Sequence, residues 1–355
     1  MKKIYLAMVV AATLASCNND EIVNEAPKTP ITFGNTFVEN ATRAIDNTYS
    51  NENPFTSFKV YGAVKSSTIQ NAQTVNIFKG VDVTSSNGVW SYNETYKQYW
   101  VADCSYEFAA IVDGTVPDNG YDANGMPISI TYDASGQKDL CYAETTAGTG
   151  YDAVPTSGVN DEKKVNFTFN HLLSKAQFTA KNTILTNTEN IQYTYQVKNV
   201  KITNAYKNAI YTIDEPSSWG NHASDKSYVV DFGNISNATS NTAQDNAISI
   251  EGKASATSHK QMLLIPYDYT STKLTITFTV DLFLNGTLLH TKDYTKYASV
   301  NLEAGKAYNF VIELGTPGQQ INFTVETLTG WDPPTGGTDT PLTDTSTPST
   351  PGEGE

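Results

Sequence analysis

An all-β chain, with tandem β-sandwich domains and a disordered C-terminal tail, is predicted by three observations. Charged residues make up only 17 % of the 355 residues, so the polarity comes mostly from Asn, Thr, Ser and Gly, which favour turns over helix interiors. Tyr contributes 21 residues and Met only 4, a balance suited to strands. Short runs of alternating apolar residues also recur between turn signals along most of the length, which is the pattern of sandwiches. The length allows two domains of ordinary size.

The first element, residues 1–17, reads as an export signal. Lys2 and Lys3 precede the apolar run Ile4 to Thr13, and Leu14-Ala15-Ser16-Cys17 closes it with small residues. The run is too short to span a bilayer, which needs about 20 residues. Leu-Ala-Ser-Cys resembles the lipobox of bacterial lipoproteins, so Cys17 is the expected lipidation site and a membrane surface the expected partner of the acylated precursor. An ordinary secretory signal with a chance cysteine is the alternative.

Residues 18–43 are predicted to form a propeptide containing a removable strand. After a polar stretch ending at Pro30, Ile31 to Val38 alternates with period two and places Ile31, Phe33 and Phe37 on one face. Glu39 to Ala44 is polar and small, and reads as an accessible connector. Within it lies Arg43, the only arginine of the chain. An Arg-specific protease therefore has one site, between Arg43 and Ala44.

Residues 44–183 and 184–331 are the two predicted sandwich domains, divided near the polar segment Lys181 to Asn190. In the first, strands are predicted at Phe58–Val64, Thr74–Phe78 (closed by Lys79-Gly80), Gln98–Val101, Tyr106–Val112, Val165–Phe169 and Ala176–Ala180, with one helical turn at His171–Lys175. In the second, strands are expected at Tyr193–Ile202, Ala209–Ile213, Tyr228–Phe232, Met262–Ile265, Leu274–Leu284, Ala307–Leu314 and Ile321–Leu328. Asn285-Gly286 is a hairpin signal, because both residues tolerate positive φ. Residues 332–355 are rich in Pro, Thr, Gly and acid, with one aliphatic residue, Leu342, and are predicted to be disordered. Cys104 and Cys141 either form a disulfide, as an oxidising compartment permits, or are buried free thiols.

Enzyme motifs are absent. His171, His222, His259 and His290 are scattered, with no H-E-x-x-H and no Cys/His spacing for zinc. No G-x-S-x-G elbow, phosphate loop or dinucleotide fingerprint occurs. Asp122-Ala123-Asn124-Gly125 reads as a turn, since Thr131 stands where a calcium loop needs a bidentate Glu. Trp90, Trp100, Trp219 and Trp331 sit in or beside strands and read as core rather than as a sugar-binding platform. No catalytic residue, metal or cofactor is predicted. The formal charge is −14, and basic residues are nowhere clustered, which argues against nucleic acid as a partner.

The order of elements suggests a function. If a protease cuts after Arg43, the Ile31–Val38 strand is held only non-covalently. Its departure leaves an apolar groove flanked by unpaired backbone groups, which another molecule's strand can refill. Head-to-tail filling does not close on itself and gives a filament. Ile321, Phe323 and Val325 form a candidate donor strand, because Ile321-Asn322-Phe323 repeats the Ile-x-Phe spacing of Ile31-Thr32-Phe33.

Loose motifs in order along nearly the whole chain resemble those of the fimbrillins, the subunits of type V pili. They are Leu14–Cys17; Ile31-Thr32-Phe33 followed by Ala41-Thr42-Arg43-Ala44; Tyr99-Trp100 and Phe108; Asp139-Leu140-Cys141-Tyr142-Ala143; Val165 to Lys175; Gly305-Lys306-Ala307-Tyr308; Ile321 to Val325; and Trp331. The resemblance implies two transthyretin-like sandwich domains, lipoprotein export to the outer membrane, trypsin-like cleavage after Arg43, and polymerisation by strand exchange into a cell-surface fimbria that supports adhesion. The implied partners are neighbouring subunits, the Arg-specific protease and a host or bacterial surface receptor. The tail beyond Trp331 departs from the pattern in lacking alternating apolar residues, so the donor lies upstream or the chain is not a stalk subunit. The competing reading is a surface lipoprotein that does not polymerise, or a tip adhesin, binding glycan or host protein through exposed aromatics.

Overall fold

The structure, a computed structural model, describes residues 29–38, 55–101, 103–145, 164–184, 191–214, 216–222, 226–235, 247–251, 254–258, 260–318 and 320–328. Apart from two 3₁₀ turns, Glu94–Tyr96 and Ala134–Gly136, its regular elements are strands. The predicted all-β fold is what the chain adopts. In order these are β1 (Thr32–Val38), β2 (Ser57–Ser66), β3 (Val75–Ser86), β4 (Val89–Tyr92), β5 (Cys104–Val112), β6 (Ser129–Asp133), β7 (Cys141–Thr145) and β8 (Lys164–His171). There follow β9 (Ser174–Asn182), β10 (Tyr193–Ala205), β11 (Asn208–Thr212), β12 (Ser218–Gly220), β13 (Tyr228–Gly233), β14 (Ser255–Thr257) and β15 (Met262–Leu264). The last are β16 (Tyr267–Asp268), β17 (Leu274–Leu284), β18 (Thr287–Ala298), β19 (Asn301–Leu302), β20 (Ala307–Leu314) and β21 (Asn322–Leu328).

The first large sheet has the order β1-β8-β7-β5-β2-β3-β4. Alternation writes its inner face: along β8, Val165, Phe167, Phe169 and His171 are buried while the residues between them are exposed. β5 is buried on both faces. Phe108, Ala110 and Val112 join the core shared with β1, and Ala109 and Ile111 face the opposite cluster. Gly80 does not close β3, as its turn-like setting suggests; with φ of 68° it carries a bulge where Val60 pairs Val81 and Tyr61 pairs Lys79.

The second body is a sandwich of β13-β10-β17-β18 against β14-β9-β20-β21. Phe178 of β9 meets Phe232 of β13 at 4.7 Å and stacks on Phe310 of β20 at 5.0 Å. The Asn285-Gly286 turn forms as predicted, with φ of 48° and 80° between paired Leu284 and Thr287. The crossing from one sheet system to the other falls at Leu172-Leu173. The expected helical turn at His171–Lys175 is absent: β8 ends at His171, and from Ser174 the backbone pairs with β20 and β15. Ser174–Asn182 therefore belongs to the second sandwich. A three-stranded sheet, β12-β11-β6, adds a further tie between the chain's halves, with Asn208–Thr212 paired to Ser129–Asp133.

Candidate functional site

β1 is an edge strand, and its pairing with β8 is parallel whereas every other pairing in its sheet is antiparallel. Among the described residues no hairpin ties it to a neighbour, and the covalent link from β1 to the rest of the sheet runs through residues 39–54. Arg43 lies in that link, five residues past Val38.

The strand is built into the core. Ile31 and Phe33 are buried. The Phe33 ring sits among Phe58, Phe78, Tyr92, Phe108 and Phe167 at centroid distances of 5.9, 5.8, 5.7, 6.5 and 6.0 Å. On the side away from β8, the amide of Ile31 donates to Gln98 O (2.9 Å) and the amide of Trp100 to Thr29 O (2.9 Å). The Tyr92 hydroxyl donates to Ile31 O at 2.7 Å, and burial pushes that hydroxyl's pKa up. Residues 29–31 are therefore held on the side opposite β8, and the β8 ladder takes over from Thr32. Past them the ladder slips: Phe33 pairs Val165, but Thr36 pairs Phe167. Gly34 makes that slip tolerable, because a Cβ there would stand 2.2 Å from Asn166 Oδ1 and 2.9 Å from Lys164 Cβ. Phe37 and Val38 hold backbone register with Thr168 and Phe169; their side chains lie outside the described residues, as do Cys17, Arg43, Ala44 and Trp331 entirely.

The candidate donor is seated as well. β21 is the edge strand beside β20, with Ile321, Phe323 and Val325 buried and Phe323 stacked on Phe310 at 6.1 Å. The structure thus does not bring the two strands together; each completes its own sheet.

The disulfide alternative for Cys104 and Cys141 is corrected: both are free thiols. Cys141 pairs Val112 at the far end of β5, and Cys104 begins that strand eight residues earlier, about 26 Å away at strand rise. Burial, with nearby Asp103, pushes the Cys104 thiol up. The three described tryptophans pack on the core, Trp100 buried and Trp90 and Trp219 half-buried: Trp100 packs on Tyr106 at 4.8 Å, Trp90 on Phe58 at 5.0 Å, and Trp219 Nε1 donates to Leu172 O at 2.7 Å. Asp122 Oδ1 accepts the amides of Asn124 and Met126, so that segment is the predicted turn.

One cluster escaped the sequence. Cys141 and His171 are paired residues of β7 and β8, and Asp139 stands two residues before Cys141. All three are buried. His171 Nδ1 lies 3.6 Å from Cys141 Sγ and 2.9 and 3.2 Å from the Asp139 oxygens. Burial, then the Asp139 charge, drives the Cys141 thiol well above the usual thiol range. Thiol and carboxylate address the same ring nitrogen, so no proton relay runs through the imidazole as nucleophilic catalysis requires. Thirty residues separate the partners, and only the β7–β8 register could have revealed them.

Fold and edge strand together define the class: an all-β, sandwich-like protein with an N-terminal strand seated in a sheet edge. The family follows from comparison. The description "Fimbrillin-like" matches residues 42–331, and the chain belongs to that family. It is a family of fimbrial and cell-adhesion proteins, not typically enzymes, and its setting is the fimbria at the cell surface. Among solved structures, a fimbrial protein from Bacteroides vulgatus has 18 % identity, covers 85 % of this chain and 99 % of its own, and gives a TM-score of 0.58. The fimbrial anchor protein Mfa2 from Porphyromonas gingivalis has 11 % identity, with 83 % and 96 % covered and a TM-score of 0.31. The likeness to the first is one of fold. No curated protein matches the chain.

Proposed function

We propose that the chain is a structural subunit of a fimbria, exported as an outer-membrane lipoprotein acylated at Cys17, cut between Arg43 and Ala44, and joined to its neighbours by strand exchange at the β1 groove. The observation that carries this reading is the seating of β1. It is buried at Ile31 and Phe33, parallel to β8, and covalently continuous with its sheet only through the segment that holds Arg43.

Cleavage there converts β1 into a bound peptide. Its loss exposes the sites of two fully buried side chains, at about 1.5–3 kcal/mol each, together with the open edges of β8 and of residues 98–100. An empty groove is therefore costly and takes up another strand. The parallel pairing sets the direction of the incoming strand, since it must run as β8 runs. The β1 grip changes partner along its length: residues 29–31 are bonded to Tyr92, Gln98 and Trp100, while residues 32–38 pair β8. The cut frees the Val38 end, so displacement starts there and finishes at Ile31, whose amide and carbonyl are held by Gln98 and Tyr92. Removing residues 1–43 takes away four basic and four acidic residues, so the charge stays at −14. Subunits of like charge repel, and the groove contacts have to outweigh that repulsion.

N-terminal sequencing of fimbriae sheared from cells tests the reading. A start at Ala44, with Arg43→Ala yielding only monomers that retain β1, is the expected result. Filaments from Arg43→Ala, or an acylated Cys17 on the assembled form, would refute it.

A further inference from the structure

We infer that Asp139, Cys141 and His171 form a buried binding site for a divalent transition metal, with Zn²⁺ the ion that its donor set fits. The donors are a thiolate sulfur, an imidazole nitrogen and a carboxylate, all three within 4.8 Å of one another. A tetrahedral zinc centre has Zn–N and Zn–O bonds of about 2.0–2.2 Å and a Zn–S bond of about 2.3 Å. Tetrahedral angles then separate nitrogen from oxygen by about 3.3 Å and nitrogen from sulfur by about 3.6 Å. In the protein Nδ1 of His171 lies 3.2 Å from Asp139 Oδ1 and 3.6 Å from Cys141 Sγ. Nδ1 thus already stands at tetrahedral edge lengths from the other two donors.

The local fold holds them there. Cys141 and His171 face one another across the β7–β8 ladder. The amide of Leu172 donates to Leu140 O at 3.0 Å, which fixes the strand ends from which Asp139 and His171 reach inward. Both carboxylate oxygens of Asp139 face Nδ1, at 2.9 and 3.2 Å, so one of them binds the ion and a water supplies the fourth tetrahedral donor. Charge is balanced: a dication with one thiolate, one carboxylate and a neutral imidazole sums to zero, which suits a site with side chains 0–1 % exposed at Asp139 and His171. The thiolate favours zinc over calcium or magnesium, which take oxygen donors. On binding, the Cys141 S–H bond gives way to a metal–sulfur bond and the proton passes to solvent. The ion would staple β7 to β8 beside the Leu172-Leu173 crossing, at the opposite end of β8 from Lys164, where β1 begins its pairing.

The test refolds the full chain from chelator and denaturant with Zn²⁺ or Co²⁺, followed by desalting and metal analysis. The expected result is one equivalent of metal per chain, a thiolate-to-cobalt charge-transfer band in the Co²⁺ form, and a higher Tm than the metal-free chain. Cys104→Ser and Cys17→Ser keep the band and the metal, and Cys141→Ser loses both. Wild-type chain that refolds to its native circular dichroism without retaining metal overturns the proposal, whatever the variants do. So does metal bound without the thiolate band, or equally well by Cys141→Ser.

Discussion

Truncating Phe33 to alanine tests the seating of β1 most directly. The ring is 3 % exposed and packed against five aromatic rings. Phe-to-Ala changes at such sites cost about 3–5 kcal/mol, from lost transfer energy and the cavity left behind. In the intact chain that loss appears as lower stability. In a chain cut after Arg43 it becomes a loss of affinity of the β1 fragment for its groove. At about 1.4 kcal/mol per tenfold, the fragment dissociates roughly 10² to 10³·⁵ times more readily. The assay cuts purified protein with an Arg-specific protease and follows the fragment by size-exclusion chromatography and mass spectrometry. The wild-type fragment co-elutes with the body, and the Phe33→Ala fragment elutes alone. Phe323→Ala is the control, since it removes a comparably buried ring from β21 and leaves fragment retention unchanged. Equal retention of the Phe33→Ala and wild-type fragments would show that β1 is not held by this cluster, and the exchange reading would lose its basis.

Three further outcomes follow from the geometry. Gly34→Ala places a Cβ 2.9 Å from Lys164 Cβ and 2.2 Å from Asn166 Oδ1, so it lowers stability by about 1–3 kcal/mol. Adding Asn166→Ala recovers part of the loss, as thermal melts of the single and double variants can check. Hydrogen exchange in the cut protein is faster at the amides of residues 36–38 than at Ile31, whose amide and carbonyl are both bonded; uniform protection along β1 contradicts displacement from the Val38 end. Asp281 gives a pH dependence. Burial pushes its carboxyl up, but hydrogen bonds from Lys198 and Thr291 outweigh burial and hold it below the ordinary value. A lowered folded pKa contributes stability above the unfolded value of about 3.9, and that stability disappears as pH falls through the folded value. Asp281→Asn is therefore less stable than wild type at neutral pH, on the order of 1 kcal/mol, and the difference closes below about pH 4, as urea melts at several pH values can show.

What the sequence discloses is what period two can encode. β8 alternates without a fault and was legible residue by residue, and so was the inward face of Ile31 and Phe33. Asn285-Gly286 announced its hairpin because only such residues accept two positive φ values in succession. The misses are matters of partnership. Ser174–Asn182 alternates Ala176, Phe178 and Ala180 with polar residues, and nothing local says that its parallel neighbour β20 is about 130 residues away. Gly80 reads as punctuation but serves as a bulge within a longer strand. The same blindness hid the Asp139–Cys141–His171 cluster, assembled by register alone.

The donor strand is where sequence likeness and structure pull apart. Ile321 and Phe323 match Ile31 and Phe33 in spacing, yet in that alignment Thr324 falls on Gly34, where Asn166 and Lys164 leave no room for a Cβ. β21 must also leave a sheet in which Ile321, Phe323 and Val325 are already buried. Burial lost at one end then cancels burial gained at the other, and the exchange has little net drive. An independent donor carries no such debt. The two cases separate by locking β21 at home through Glu313→Cys with Asn322→Cys, residues paired in the β20–β21 ladder and not fully buried. The locked chain is expected to accept a neighbour's strand and assemble as wild type does once its β1 is cut away. If oxidation of that pair stops assembly and reduction restores it, β21 is the donor after all, and the steric argument at Gly34 fails with it.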